Sequence, residues 1–171
     1  MKLSIVSGGF DPVHVGHIDC FEKARATADD LFVIVNSDGF LIRKKGKAFM
    51  PEDERRTVIE ALKPVTQTIK CVDLDDTVCR TLWQIYEDYK DKYDKIMFCN
   101  GGDRVFDGEK PEHKMCLDLG IDPVYGLGEK TQSSSSLIKK YTASPVDPSS
   151  GRPEGILLQE LKQRQELKNL S

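Results

Sequence analysis

Apolar residues along this chain recur in two rhythms. The segments "LSIVS" (3–7), "LFVIVN" (31–36), "TIKCVDL" (68–74), "KIMFCN" (95–100) and "PVYGL" (123–127) are short, apolar and often β-branched, which predicts five strands. The longer stretches between them carry apolar residues at helical spacing. "HIDCFEKARATA" (17–28) sets Ile18, Phe21 and Ala24 or Arg25 on one stripe. "PEDERRTVIEALK" (51–63) opens with proline and acidic residues, as helix N-termini do. "VCRTLWQIYEDYKDKY" (78–93) is apolar at 78, 82, 85, 86 and 89, and "PEHKMCLDLG" (111–120) ends in a glycine suited to a C-cap. This alternation predicts an α/β domain, a doubly wound parallel five-stranded sheet with helices on both faces. Ligands of such sheets bind at the C-terminal edge of the strands, so the residues just after each strand are the ones to inspect.

The pattern changes near residue 143. "ASPVDPSSGRPEG" (143–155) is rich in Pro, Ser and Gly and reads as a linker, and "ILLQELKQRQELKNL" (156–170) reads as a C-terminal helix. The expected division is a domain over 1–142, a linker over 143–155 and a helical tail over 156–171. Composition adds limits. A chain of 171 residues, 39% hydrophobic and 31% charged, suits a soluble domain. A net charge of −3 gives no overall basic field for nucleic acid. No apolar run reaches the length of a membrane span, and "KLSIVS" directly after Met1 lacks the plan of a signal peptide, so a cytoplasmic protein is expected. The five cysteines form no C-x-x-C pair and are expected to be reduced and structural.

Chemistry concentrates in "SGGFDPVHVGHI" (7–18), directly after the first strand. Glycines permit a turn whose backbone N–H groups face inward, and a helix start adds unpaired N–H groups and partial positive charge. Such a place attracts phosphate. His14 and His17 share a face of the first helical turn and can donate to phosphate oxygens without a permanent charge. A metal reading is weaker, because i, i+4 is the better zinc spacing and no third ligand is near. No protein-borne metal site is expected.

This string resembles the signature of the nucleotidylyltransferase superfamily, cytidylyltransferase-like proteins with a Rossmann-like fold, and the layout continues to fit over about residues 2–141. "NSDGFLIRKKGKAFMPEDERRTVIEAL" (36–62) is similar to the corresponding stretch of heptose-1-phosphate adenylyltransferases and glycerol-3-phosphate cytidylyltransferases. "NGGDR" (100–104) resembles a segment of the heptose-phosphate group, and "QSSSSLI" (132–138) stands where those families open a late helix. The resemblance implies attack by an acceptor's phosphate on the α-phosphorus of a nucleoside triphosphate (NTP), with pyrophosphate leaving. Such a reaction needs positioning and charge stabilisation rather than an enzyme nucleophile. It implies an NTP and a phosphorylated small molecule as partners, Mg²⁺ carried on the triphosphate, and a homodimer as one candidate assembly.

The resemblance also distributes roles. Ser7, Gly8, Gly9 and Phe10 would wrap the α-phosphate, with Asp11 and Gly16 in the same nucleotide-binding loop. His14 and His17 would donate to the triphosphate. Among the basic residues of "RKKGK", Lys44 is favoured to reach the reacting phosphates and Lys47 is next; the bland alternative is a solvated basic loop. Arg55 would brace this loop or reach the acceptor, together with Asp38. Gly102, Asp103 and Arg104 would meet ribose or phosphate, or form only a tight turn. Ser134, Ser135 and Ser136 would cap a helix aimed at the β/γ-phosphates. Cytidylyl relatives carry an arginine where this chain has "GEKTQSSSS" (128–136), so Lys130 would supply that charge. The departure favours ATP over CTP and adenylyl transfer to a sugar phosphate. Cytidylyl transfer to a polyol or aminoalcohol phosphate is the runner-up.

Two further motifs compete. "CVDLDDTVCRTLW" (71–83) matches the first motif of haloacid-dehalogenase-like phosphatases, with Asp73 as nucleophile and Asp75 as proton carrier, but too few residues separate it from "GGDRVFD" for the other motifs of that class. "GLGEKT" (126–131) resembles a phosphate-binding Walker loop but has Glu129 where glycine is required. A nucleotide-binding protein without turnover is the remaining alternative.

Overall fold

The computed structural model describes residues 1–102, 108–128 and 133–143. Its elements run β1 (Lys2–Gly8), α1 (Val15–Ala26), β2 (Asp30–Val35), α2 (Asp38–Lys45), α3 (Glu52–Glu60), β3 (Gln67–Lys70), α4 (Cys79–Tyr89), β4 (Lys95–Gly101), α5 (Pro111–Leu119), β5 (Asp122–Leu127) and α6 (Ser134–Ala143). The chain divides into two compact units, Met1–Ser134 and Ser135–Ser171. All five strands belong to the first unit, and the second holds nearly all of α6. The expected linker and tail helix fall almost wholly on residues 144–171, outside the described residues.

The sheet is entirely parallel, in the order β3-β2-β1-β4-β5. The chain winds outward from β1 through β2 to β3, then returns to the other side of β1 for β4 and β5. The reversal leaves a crevice at the C-terminal ends of β1 and β4, the usual ligand position in this architecture. It is the predicted doubly wound, Rossmann-like fold.

Strand side chains alternate between two cores. Leu3, Ile5, Phe32, Ile34, Ile96 and Phe98 pack with Leu82 and Ile85 of α4 and Cys116 of α5. Val6, Leu31, Val33, Val35, Met97 and Cys99 pack with Phe21 and Ala24 of α1 and Ile59 of α3 on the opposite face. Burial on both faces is why the strands read as continuous apolar runs rather than alternating ones. None of the five cysteines is in a disulfide, and Cys20, Cys71, Cys99 and Cys116 are buried.

Three expectations shift. The third strand stops at Lys70 rather than reaching residue 74. Asp73 instead caps α4, accepting from the N–H of Arg80 (2.7 Å) and the N–H and Oγ of Thr81 (3.0 and 2.5 Å), which forces the chain into a turn. Helix α4 ends at Tyr89, short of residue 93. The basic "RKK" is not loop but the last turn of an extra helix, α2. Ser37 caps its start and Gly46, at φ 83°, ends it in the left-handed region that only glycine adopts readily.

Candidate active site

The turn after β1 is built by close approach. A Cβ on Gly8 would lie 2.8 Å from Cζ of Phe10, and one on Gly9 would lie 2.7 Å from Cδ2 of Leu41. A side chain at either position would force Phe10 or Leu41 to move. The left-handed residue of the turn is Phe10 itself, at φ 48°, rather than a glycine. Its ring is buried and meets His17 edge-on at 5.0 Å and Phe21 at 5.2 Å.

His14 and His17 close the start of α1 on each other. Nδ1 of His14 accepts from the Gly16 N–H and Nδ1 of His17 accepts from the His14 N–H, both at 3.2 Å. The rings stack with centroids 3.7 Å apart. An accepting Nδ1 carries no proton, so each neutral ring carries it on Nε2. Burial, then the neighbouring His14 and Lys45, push the His17 pKa down to about 3. Burial also lowers His14. The pair is thus two fixed, neutral N–H donors. The arrangement alters one expectation: the N–H of Gly16 is spent on His14 and that of His17 on the His14 carbonyl at 2.9 Å, so the imidazoles, not these helix N–H groups, are the donors on offer.

Two of the predicted residues are engaged within the protein. Asp11 turns its carboxylate to the backbone of a later segment. It is buried, and its two oxygens accept from the N–H groups of Phe49 (2.6 Å) and Met50 (2.7 Å). Of the two roles expected of Arg55, its contacts are those of a brace. Its side chain is wholly buried and donates to the carbonyls of Met50 (2.9 Å), Gly9 (2.7 Å) and Asn36 (2.8 Å) and to Asp38 Oδ1 (2.7 Å). One guanidinium therefore joins the glycine turn, the end of β2, the start of α2 and the approach to α3. Asp38, half-exposed, is the outer partner of that brace.

A cavity of about 460 Å³ opens at the C-terminal edge of the sheet. Ser7 on β1, Asn36 after β2 and Asn100 on β4 form part of its wall. Phe40 and Lys44 line it from α2, and Asp76, Thr77 and Val78 from the turn before α4. Lys110, Glu112 and His113 at the start of α5, with Tyr125 of β5, complete it. His113 Nδ1 and the Tyr125 hydroxyl are hydrogen-bonded at 2.8 Å. Of the two favoured lysines, Lys44 lines the cavity, its Nζ 5.2 Å from the Phe40 ring centroid. Lys47 lies beyond α2, exposed and off the cavity wall.

The remaining predicted residues divide by position. Gly102 sits at the end of β4 with φ 67°, its N–H donating to the Leu127 carbonyl at 3.2 Å. Ser134 is buried and its hydroxyl donates to the Pro12 carbonyl at 2.8 Å, which ties it to the turn that carries His14. Ser135 and Ser136 are exposed in the first turn of α6, in the second unit. Asp103, Arg104 and Lys130 lie outside the described residues. The phosphatase motif is spent on capping: Asp73 is buried in its bonds to α4, and Asp75 accepts from the N–H and hydroxyl of Thr77 at 2.9 and 2.8 Å. Asn36, Asn100, His113 and Tyr125 are not singled out by sequence, and Thr77 stands out there only within the phosphatase-like motif. Asn36 and Asn100 had a signal, since each stands at the C-terminal end of a strand.

No group of three or more His, Cys, Asp and Glu side chains that could hold a metal ion occurs among the described residues. No helix among them is long and apolar enough to cross a membrane.

Comparison with known proteins agrees with this geometry. An FAD synthase of Methanoculleus marisnigri (strain ATCC 35101 / DSM 1498 / JR1) is 32% identical over 155 residues, which span 88% of this chain and 97% of that protein. The crystal structure of a lipopolysaccharide core biosynthesis protein from Thermoplasma volcanium GSS1 superimposes with a TM-score of 0.58 at 27% identity, over 77% of this chain and 99% of that one. A bifunctional NMN adenylyltransferase/ADP ribose pyrophosphatase from Francisella tularensis, complexed with AMP and a manganese ion, shares the fold at a TM-score of 0.62 and 12% identity, over 85% of this chain and 43% of that one. The sequence model of the cytidylyltransferase-like family matches residues 5–140, more than half of the chain. The chain belongs to the cytidylyltransferase-like family and is a nucleotidyltransferase.

Proposed function

We propose that this nucleotidyltransferase moves an adenylyl group from ATP to the phosphate of a small polyhydroxylated phosphate monoester. A phosphate oxygen of the acceptor attacks the α-phosphorus of ATP. The bond from that phosphorus to the β-phosphate oxygen breaks, and pyrophosphate leaves with the electron pair. The attacking group is already an anion, so no side chain has to supply a nucleophile. The protein's task is to hold two polyanions together and to stabilise charge spreading towards the leaving group.

The imidazole pair carries this reading. Both rings hold their protons on Nε2 through backbone bonds to Nδ1, and burial keeps His17 neutral. Two neutral donors fixed before substrate arrives suit a charge that grows only during reaction. In this reading the backbone of Ser7, Gly8, Gly9 and Phe10 wraps the α-phosphate and Lys44 meets the reacting phosphates. Gly102, Asp103 and Arg104 face ribose or phosphate, and Lys130 with Ser134, Ser135 and Ser136 faces the β/γ-phosphates. This reading keeps the expected division, with the reaction assigned to 1–142, a linker to 143–155 and a tail to 156–171. In this reading Mg²⁺ would be carried on the triphosphate.

The cavity supports the acceptor class. Asn36, Asn100, Thr77, Asp76 and Glu112 line it with carboxamide, hydroxyl and carboxylate groups. Asn36 Oδ1 is buried with no hydrogen-bond partner among the described residues. Such groups match a chain of hydroxyls, and Lys110 matches the acceptor's phosphate, with Lys44 on the same wall left to meet the reacting phosphates. Both FMN, with its ribityl phosphate, and a sugar phosphate belong to this class. The relatives' names point to the first and the heptose-phosphate resemblance to the second.

The test is pyrophosphate release from ATP or CTP with FMN, heptose and hexose phosphates, and glycerol 3-phosphate as acceptors. Release that needs ATP together with FMN or a sugar phosphate supports the reading. Turnover with CTP alone, or nucleotide binding without product from any acceptor, overturns it.

A further inference from the structure

Helix α2 has little apolar anchorage. Phe40 and Leu41 are its buried residues. Polar bonds hold its ends instead. At the start, Ser37 Oγ accepts the Phe40 N–H at 3.1 Å and Asp38 meets Arg55 at 2.7 Å. At the end, Arg43 reaches the turn before α4. Its Nε donates to Asp76 Oδ1 at 3.1 Å, and its Nη2 donates to the Asp75 carbonyl at 2.8 Å.

The receiving turn is held by its own network. Asp75 accepts twice from Thr77, and the Thr77 hydroxyl accepts the Cys79 N–H at 3.3 Å. Asp73 is fixed to the first turn of α4. Arg43 thus fastens a weakly packed helix to a firmly built turn. The two pieces it joins supply Phe40 and Lys44, and Asp76, Thr77 and Val78, to the same cavity wall.

We propose that Arg43 is a positioning residue: by clamping the last turn of α2 to the 75–76 turn, it fixes Lys44 where that lysine meets phosphate. The proposal rests on the reading of Lys44 as a phosphate ligand. Arg43 is 44% exposed and Asp76 70% exposed, so the ion pair adds little to folding stability. Its effect is on where Lys44 sits. Only a guanidinium can bond a carboxylate and a neighbouring carbonyl with one planar fork; an ammonium offers a single point of charge.

A double-mutant cycle tests this, with the dissociation constant of Mg-ATP measured by calorimetry on the full chain. Lys44→Ala should weaken binding roughly tenfold, the scale of one lost charge-assisted bond. Arg43→Gln should weaken it roughly fivefold alone but less than about twofold in the Lys44→Ala background, because the two residues act in series. The ratio between wild type and Arg43→Gln should shrink as KCl rises towards about 1 M, since salt screens an exposed pair. Arg43→Lys should recover part of the loss. Thermal midpoints of all variants should stay close to wild type, which separates positioning from unfolding. A silent Lys44→Ala would remove the reading of the site, and the inference with it. An effective Lys44→Ala with a silent Arg43→Gln, or with an equal Arg43→Gln loss in both backgrounds, would overturn the inference and leave that reading standing.

Discussion

Two imidazoles hold their protons outward because each Nδ1 is occupied by a backbone N–H. That arrangement makes His14 and His17 donors rather than bases, and it sets two predictions. Replacing His17 by alanine should lower turnover by at least about a hundredfold, the usual cost of losing a donor to developing charge, with an unchanged circular dichroism spectrum. An unchanged rate would remove the pair from the site. The second prediction concerns pH. The folded-state pKa of His17 is pushed from 6.5 to about 3. The unfolded chain therefore binds the proton first, and stability must fall as pH drops from about 6.5 towards 3, by at most about 1.4 kcal/mol per pH unit from this group. Urea melts of wild type and His17→Gln between pH 7 and pH 4 check it. The substituted protein should lose that part of the slope.

Among the elements, the turns rather than the helices carry the local logic. Asp73 stands in a sequence that imitates a phosphatase nucleophile, yet it serves as the cap of α4 through Arg80 and Thr81. Asp73→Ala should therefore cost about 1–2 kcal/mol of stability, as lost caps do, and should leave pyrophosphate formation in place once the protein is folded. Denaturant midpoints together with the release assay check both halves. Arg55 and Asp11 work the same way over a longer span, tying the glycine turn to the 49–50 segment from opposite directions.

For the molecule as a whole, the reversal of strand order at β1 and β4 places the cavity between α2, the turn before α4 and the start of α5. Val78 is a buried part of that wall. Val78→Trp should fill the cavity and raise the acceptor KM by roughly tenfold or more, while the KM for ATP changes little, because the proposed reading gives this volume to the acceptor. Steady-state kinetics with both substrates varied checks this, and an equal rise in both constants would place the nucleotide in the cavity instead.

What the sequence determined by itself was local. Five apolar runs became the five strands, the 7–18 string marked the turn with its two histidines, and Gly120 ended α5, because period, turn chemistry and caps act between near neighbours. Tertiary structure decided which polar groups remain available. Asp11 and Arg55 look like ligands in the sequence but are engaged by other partners, 38 and 39 residues away for Asp11 and 5 to 46 residues away for Arg55. Asn36 and Asn100 look ordinary yet line one cavity, since β2 and β4, far apart in sequence, flank β1 in the parallel sheet. A side chain's chemistry is written in its type, but whether it faces a ligand depends on which distant backbone groups reach it first.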